Sequence, residues 1–198
     1  MKHKAHRSTF LALTTAILPT VAQAHVGVQA VELVAGALHP WINIESALVL
    51  AGLLLWLAQN ATSTDNKPFV VHGLALAMGV AGGLFLRIPT PPWLIYSIAL
   101  GSGLCVSCRL MPRPIPGLIA VGSAALLAGY YAGADAASDV KAPLVFLLGA
   151  MAGGFAIPLS IAVLLGERRS RTVQIGIRVL GSWLSAVSLM LFVLRLRG

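Results

Sequence analysis

The chain has 198 residues, 58% of them hydrophobic and only 10% charged, with a formal net charge of +8. That balance excludes an ordinary soluble domain and points to an all-α polytopic membrane protein, in which every backbone polar group is satisfied within the spans. The positive charge does not mark a nucleic-acid binder, because the basic residues sit in short clusters at the ends of apolar runs.

Residues 1–24 read as a cleavable secretory signal. Lys2, Lys4 and Arg7 form the basic head, an apolar stretch follows from Phe10, and Ala22-Gln23-Ala24 supplies the small-x-small cleavage pattern. The mature chain, residues 25–198, would then begin at His25. Residues 26–38 are apolar but too short to span, so they read as an interfacial or re-entrant piece leading into His39-Pro40. Pro40 is expected in the first turn of the next helix, where a missing N–H costs nothing.

Six spans follow, at about 40–59, 68–87, 93–111, 115–133, 142–165 and 173–194. Polar or proline-rich breaks such as NATSTDNK (60–67), IPTPP (88–92) and PRPIP (112–116) separate them. A cleaved signal puts the mature N-terminus outside, on the periplasmic side of a bacterial inner membrane. The inner loops then carry Lys67, Arg109, Arg113, Arg168, Arg169 and Arg171. The outer segments carry Arg87, Lys141, Arg195 and Arg197 with Asp135 and Asp139. This agrees with the positive-inside rule. Gly79/Gly83, Gly129/Gly133 and Gly149/Gly153 are GxxxG pairs, suited to close helix contacts within the bundle, in a homo-oligomer or with partner subunits.

The chemistry collects on the outer side, where His25, Glu32, His39, Glu45, Asp135 and Asp139 are expected. Imidazole and carboxylate are the usual ligands of divalent transition metals. Glu45 is the sharpest candidate, because a carboxylate inside an apolar run is expensive; it would also suit a cap, or an ion pair with Arg87. Asp135 and Asp139 read as ordinary solvated loop acids, and Glu32 reads as interfacial rather than as a ligand. A mature His25 would chelate through its own amine as well as its ring. His72 is expected to hydrogen-bond a neighbouring helix. Cys105 and Cys108 share a helix face but make an incomplete metal site and read as packing. Tyr130 and Tyr131 fit an aromatic belt. No nucleophile elbow, Walker sequence or HExxH is present, so no enzyme is indicated.

In this layout the chain resembles the HupE/UreJ family of bacterial nickel/cobalt permeases, associated with hydrogenase and urease maturation. The family's first-span pattern H-P-x-x-G-x-D-H-x-x-A-M falls on HPWINIESALVL (39–50). His39 and Pro40 match and Glu45 takes the Asp position. Asn43 replaces the Gly, and Ser46 replaces the second His. The fourth-span pattern H-G-H-A-H-G-x-E falls on AGYYAGAD (128–135), keeping Gly129 and Gly133, with Asp135 for the Glu and none of the three histidines. The family's span-five histidine also has no counterpart. The resemblance implies a divalent-metal permease or metal-handling accessory in a lipid bilayer, with nickel or cobalt as cargo, no permanently bound cofactor, and His39, Glu45, His25 and Asp135 as metal residues. The missing imidazoles leave open a non-transporting scaffold or assembly subunit that keeps the fold.

Overall fold

The computed structural model describes residues 28–60, 66–110, 114–167 and 170–197. The expected signal at 1–24 and the candidate ligand His25 lie outside the described residues. Helix is the only regular structure among the residues described.

The first apolar stretch is two helices, α1 (Val28–Ile42) and α2 (Ile44–Asn60), whose axes meet at 77°. Pro40 does not open the second of these; it lies inside the last turns of α1. Asn43 takes that role. Its N–H still closes the last turn of α1 on His39 O at 3.0 Å. Its side-chain Oδ1 accepts the N–H of Ser46 at 3.0 Å, three residues on. That is an N-cap, a position where asparagine ranks with the best residues. Asn43→Ala is expected to cost about 1 kcal/mol, read as a lower unfolding midpoint in detergent; an unchanged midpoint would show that the bend stands without its cap.

The other runs form α3 (Lys67–Leu86), α4 (Pro92–Ser107), α5 (Pro114–Ala136), a fifth span described below, and α8 (Arg171–Arg197). Prolines sit in the first turns of α3 and α4, where the ring's fixed φ suits a helix start. Among the described residues, four helices are long and apolar enough to cross a membrane, and a fifth crossing is available if α1 and α2 count as one. The 16-residue α4 is shorter; it rises about 24 Å, less than the ~30 Å of a hydrocarbon core.

The fifth run is continuous but irregular: α6 (Pro143–Met151), a π-helical turn (Ala152–Ala156) and α7 (Ile157–Glu167). The N–H of Ile157 reaches back to Ala152 O, which leaves Gly153 O without its usual α-helical donor. Pro158 has no N–H to give Gly154 O. Side chains from other helices supply both bonds: Trp41 Nε1 donates to Gly153 O at 3.0 Å, and His72 Nε2 bonds Gly154 O at 3.1 Å. His72 thus does bond a neighbouring helix, and the carbonyl partner makes Nε2 the protonated nitrogen. Its ring stacks on Phe155.

The glycine pairs are spent inside the chain. A Cβ on Gly79 would fall on Leu126 O, on Gly83 on Tyr130 O, on Gly133 on Val80 O. The α3 and α5 faces are therefore seated directly on one another's backbone. Gly149 and Gly153 stand in the same relation to Leu33 O and Ala37 O of α1. Between these contacts lies the main core, built on Val49, Leu50, Leu53, Leu76, Ile95 and Ala125. Large apolar side chains such as Met78, Phe85, Leu144 and Trp183 face outward, as lipid requires.

Candidate functional site

One end of the bundle gathers the ionisable groups. The Asn43 cap sets Glu45 in the first turn of α2, where the helix dipole favours a carboxylate. Glu45 Oε1 accepts the Tyr96 hydroxyl of α4 at 3.0 Å. Arg195, near the end of α8, approaches the same oxygen at 3.9 Å. The ion pair of Glu45 is thus with Arg195, and not with Arg87, whose Nη2 donates instead to Ala137 O at 2.6 Å.

His39 and Asp135 meet across 96 positions of sequence, Nε2 to Oδ2 at 3.1 Å. The imidazole also sets its edge against Phe146. His39 is 23% exposed and Asp135 58%, so the pair lies at the rim and not in the core.

Between Glu45 and Asp135 opens a cleft of about 340 Å³, lined also by Asn43, Arg87, Thr90 and Tyr131. One wall is the proline-rich segment after α3. Tyr130 donates its hydroxyl to Ile88 O, and Tyr131 donates to Pro91 O at 2.9 Å. The two tyrosines therefore hold this wall, alongside the Leu94 N–H that bonds Pro91 O at 3.0 Å as α4 opens. Arg87 caps α3 in the left-handed conformation, φ 48°, a geometry that favours glycine.

Beneath the rim the two segments close on each other. Ser46 is fully buried and donates its hydroxyl to Ala128 O at 2.8 Å. Glu32, read as interfacial, is buried to 8% exposure; its Oε1 accepts the N–H of Lys141 at 2.9 Å, tying α1 to the loop before α6. Cys105 is half-buried and Cys108 exposed, both as free thiols, with no metal group around them. Indeed, no cluster of three or more His, Cys, Asp or Glu able to hold a metal occurs among the described residues. The structure brings His39 to Asp135 but leaves Glu45 with Tyr96 and Arg195. Those two partners carried no signal in the sequence, since they come from helices 51 and more positions away.

A family model for HupE / UreJ protein matches residues 12–191. The chain belongs to the HupE/UreJ family. It is also similar to Protein HupE of Rhizobium leguminosarum bv. viciae, 30% identical over 141 residues, which cover 68% of this chain and 70% of that protein. No solved structure matches it. The chain is therefore a multi-pass membrane protein of the HupE/UreJ family. Its two motif-bearing segments, 39–50 and 128–135, face each other through His39–Asp135 and Ser46–Ala128. At the second contact, both residues stand where the HupE/UreJ patterns carry histidine. Here a hydroxyl and a methyl group stand where those patterns carry imidazoles.

Proposed function

We propose that this chain is an inner-membrane permease for a divalent metal ion of the nickel/cobalt class, with its mature N-terminus periplasmic and the cleft as its outer mouth. The observation that carries this reading is the 3.1 Å contact between His39 and Asp135, because it joins the two segments on which the family resemblance rests. In that role Asp135 and Glu45 supply negative charge at the rim. His39 exchanges its carboxylate partner for the ion, offering a neutral nitrogen ligand. A mature N-terminal His25 adds an amine and a second imidazole on the same side. The Ser46–Ala128 contact lies below this mouth and has to loosen for the ion to pass inward.

The test is nickel and cobalt uptake by cells carrying Glu45→Gln, His39→Ala or Asp135→Asn, with membrane levels of each variant checked by blot. Uptake is expected to fall at least tenfold, the scale of metal-site substitutions. Wild-type uptake in all three variants would make the site assignment wrong.

A second reading is favoured by the absence of a three-ligand group among the described residues: a non-transporting membrane subunit that serves metal-enzyme assembly. Purification in mild detergent separates the two. Co-purified partner subunits without bound metal support the second reading, and metal bound to the chain alone supports the first.

A further inference from the structure

We infer, resting on the reading of the cleft as the metal's mouth, that the cation is received as a complex with a small carboxylate chelator, whose free carboxylate is seated on Arg87. Three features of the cleft carry this.

The first is charge. Glu45 and Asp135 share the cleft with the Arg87 guanidinium, and a second guanidinium, Arg195, stands 3.9 Å from Glu45. The carboxylates are matched one for one by permanent cations. A bare dication placed among them meets the repulsion of guanidinium groups as well as the attraction of the carboxylates. One oxygen of each carboxylate is also engaged: Tyr96 and Arg195 share Glu45 Oε1, and His39 holds Asp135 Oδ2. A metal bound to an anionic chelator reverses the problem, since it presents both signs of charge to a cleft that offers both.

The second is size. About 340 Å³ lies within the range of small-molecule sites and is roughly ten times the volume of a water molecule in the liquid. A partly dehydrated ion held by two side chains does not fill it, whereas a chelate does. The space is also walled in advance, because the Tyr130 and Tyr131 hydroxyls fix the segment from Ile88 to Pro91.

The third is Arg87 itself. It occupies a left-handed backbone position, φ 48°, where a side chain costs energy that glycine avoids. Its one bond to Ala137 O uses a single nitrogen of the planar fork. The remaining donors suit a carboxylate, for which guanidinium geometry is well matched. Asn43 spends its Oδ1 on the α2 cap, which leaves its amide NH₂ as a further donor at the cleft.

The experiment uses the full-length protein in lipid nanodiscs and equilibrium dialysis against radiolabelled nickel, with and without excess citrate, and against labelled citrate. Wild type is expected to retain nickel and citrate together. Arg87→Gln is expected to lose both at least tenfold in citrate, yet to bind bare nickel at least as tightly as wild type, because a guanidinium that opposes the dication is gone. Arg87→Lys keeps the charge without the fork and is expected to fall between them. Bare-nickel binding doubles as the check that each variant is folded. If citrate strips nickel from wild type as completely as from Arg87→Gln, or is never itself retained, the chelate inference is overturned while the metal reading stands. If nickel is retained in neither condition, both are overturned.

Discussion

Gly79→Ala and Gly133→Ala are each expected to destabilise the bundle by about 2–3 kcal/mol, the upper part of the overpacking range. A single methyl group is the whole change, yet at both sites it would land on a backbone carbonyl of the facing helix, Leu126 O and Val80 O respectively. A side chain in the way can turn aside; a carbonyl inside a helix cannot. The new Cβ of Gly79→Ala would also press on Tyr130 N at 2.9 Å, so relief means moving α5 and with it the tyrosine that holds the cleft wall. Gly101→Ala is the control: nothing lies within 4 Å of its added methyl, and alanine in a helix interior is favoured over glycine by up to about 1 kcal/mol. Thermal unfolding in detergent is the measurement. Equal midpoints for all three variants would show that α3 and α5 are not in direct backbone contact.

His72→Leu is expected to cost about 1–2 kcal/mol, and Pro158→Ala to remove most of that cost. The substitution leaves Gly154 O buried with no donor, a loss in the range of about 1–3 kcal/mol. Leucine also relieves a burden, since Nδ1 of His72 is buried without a partner, and this holds the net effect to the lower half of that range. In Pro158→Ala the new N–H lies four residues beyond Gly154 and restores the missing bond from within the helix. The two substitutions should therefore be non-additive, with a coupling of about 1 kcal/mol. Unfolding by SDS in mixed micelles, followed by tryptophan fluorescence, gives the four free energies of the cycle. Strict additivity would mean that His72 and Pro158 do not act on the same carbonyl.

Much of the helical frame was readable from the chain. Charges and prolines mark where lipid-compatible segments stop, and the helices end within a few residues of those marks, as at Leu86 before Arg87 and at Ser107 before the Arg109 cluster. The bend at Asn43 was missed because proline is the louder signal beside it, while the capping bond depends on a backbone conformation that composition does not display. The glycine faces were visible, but not which faces they meet. At and beside the cleft, Glu45 stood out as a carboxylate at the head of an apolar run, while His39 and Asp135 were marked by the family patterns and Asp135 otherwise read as a solvated loop acid. Tyr96 and Arg195 did not stand out, because an aromatic near the end of one span and an arginine near the end of another look like ordinary interface residues until the helices are assembled. The partner of Glu32 could not be read for a related reason: it is a main-chain N–H, which every sequence offers everywhere.

The π turn in the fifth run also sets which residues of that run meet lipid. Such a turn holds one residue more than an α turn, and each residue of an α-helix advances the wheel by about 100°. A wheel drawn from Phe146 with an unbroken α period puts 157 and 160–161 on the inner stripe. Instead Pro158 is buried and Ala162 is 1% exposed, while Ile157 is 51% and Ile161 39% exposed. The inner stripe runs Phe146, Ala150, Gly154, Pro158, Ala162, four residues apart throughout. Gaining one further residue between 152 and 156 would leave the first half of the span in place and rotate the second, turning Pro158 and Ala162 out to the acyl chains and bringing Ile157 and Ile161 against the other helices. Losing one would instead let the turn close to an ordinary α turn with Pro158 and Ala162 still inside.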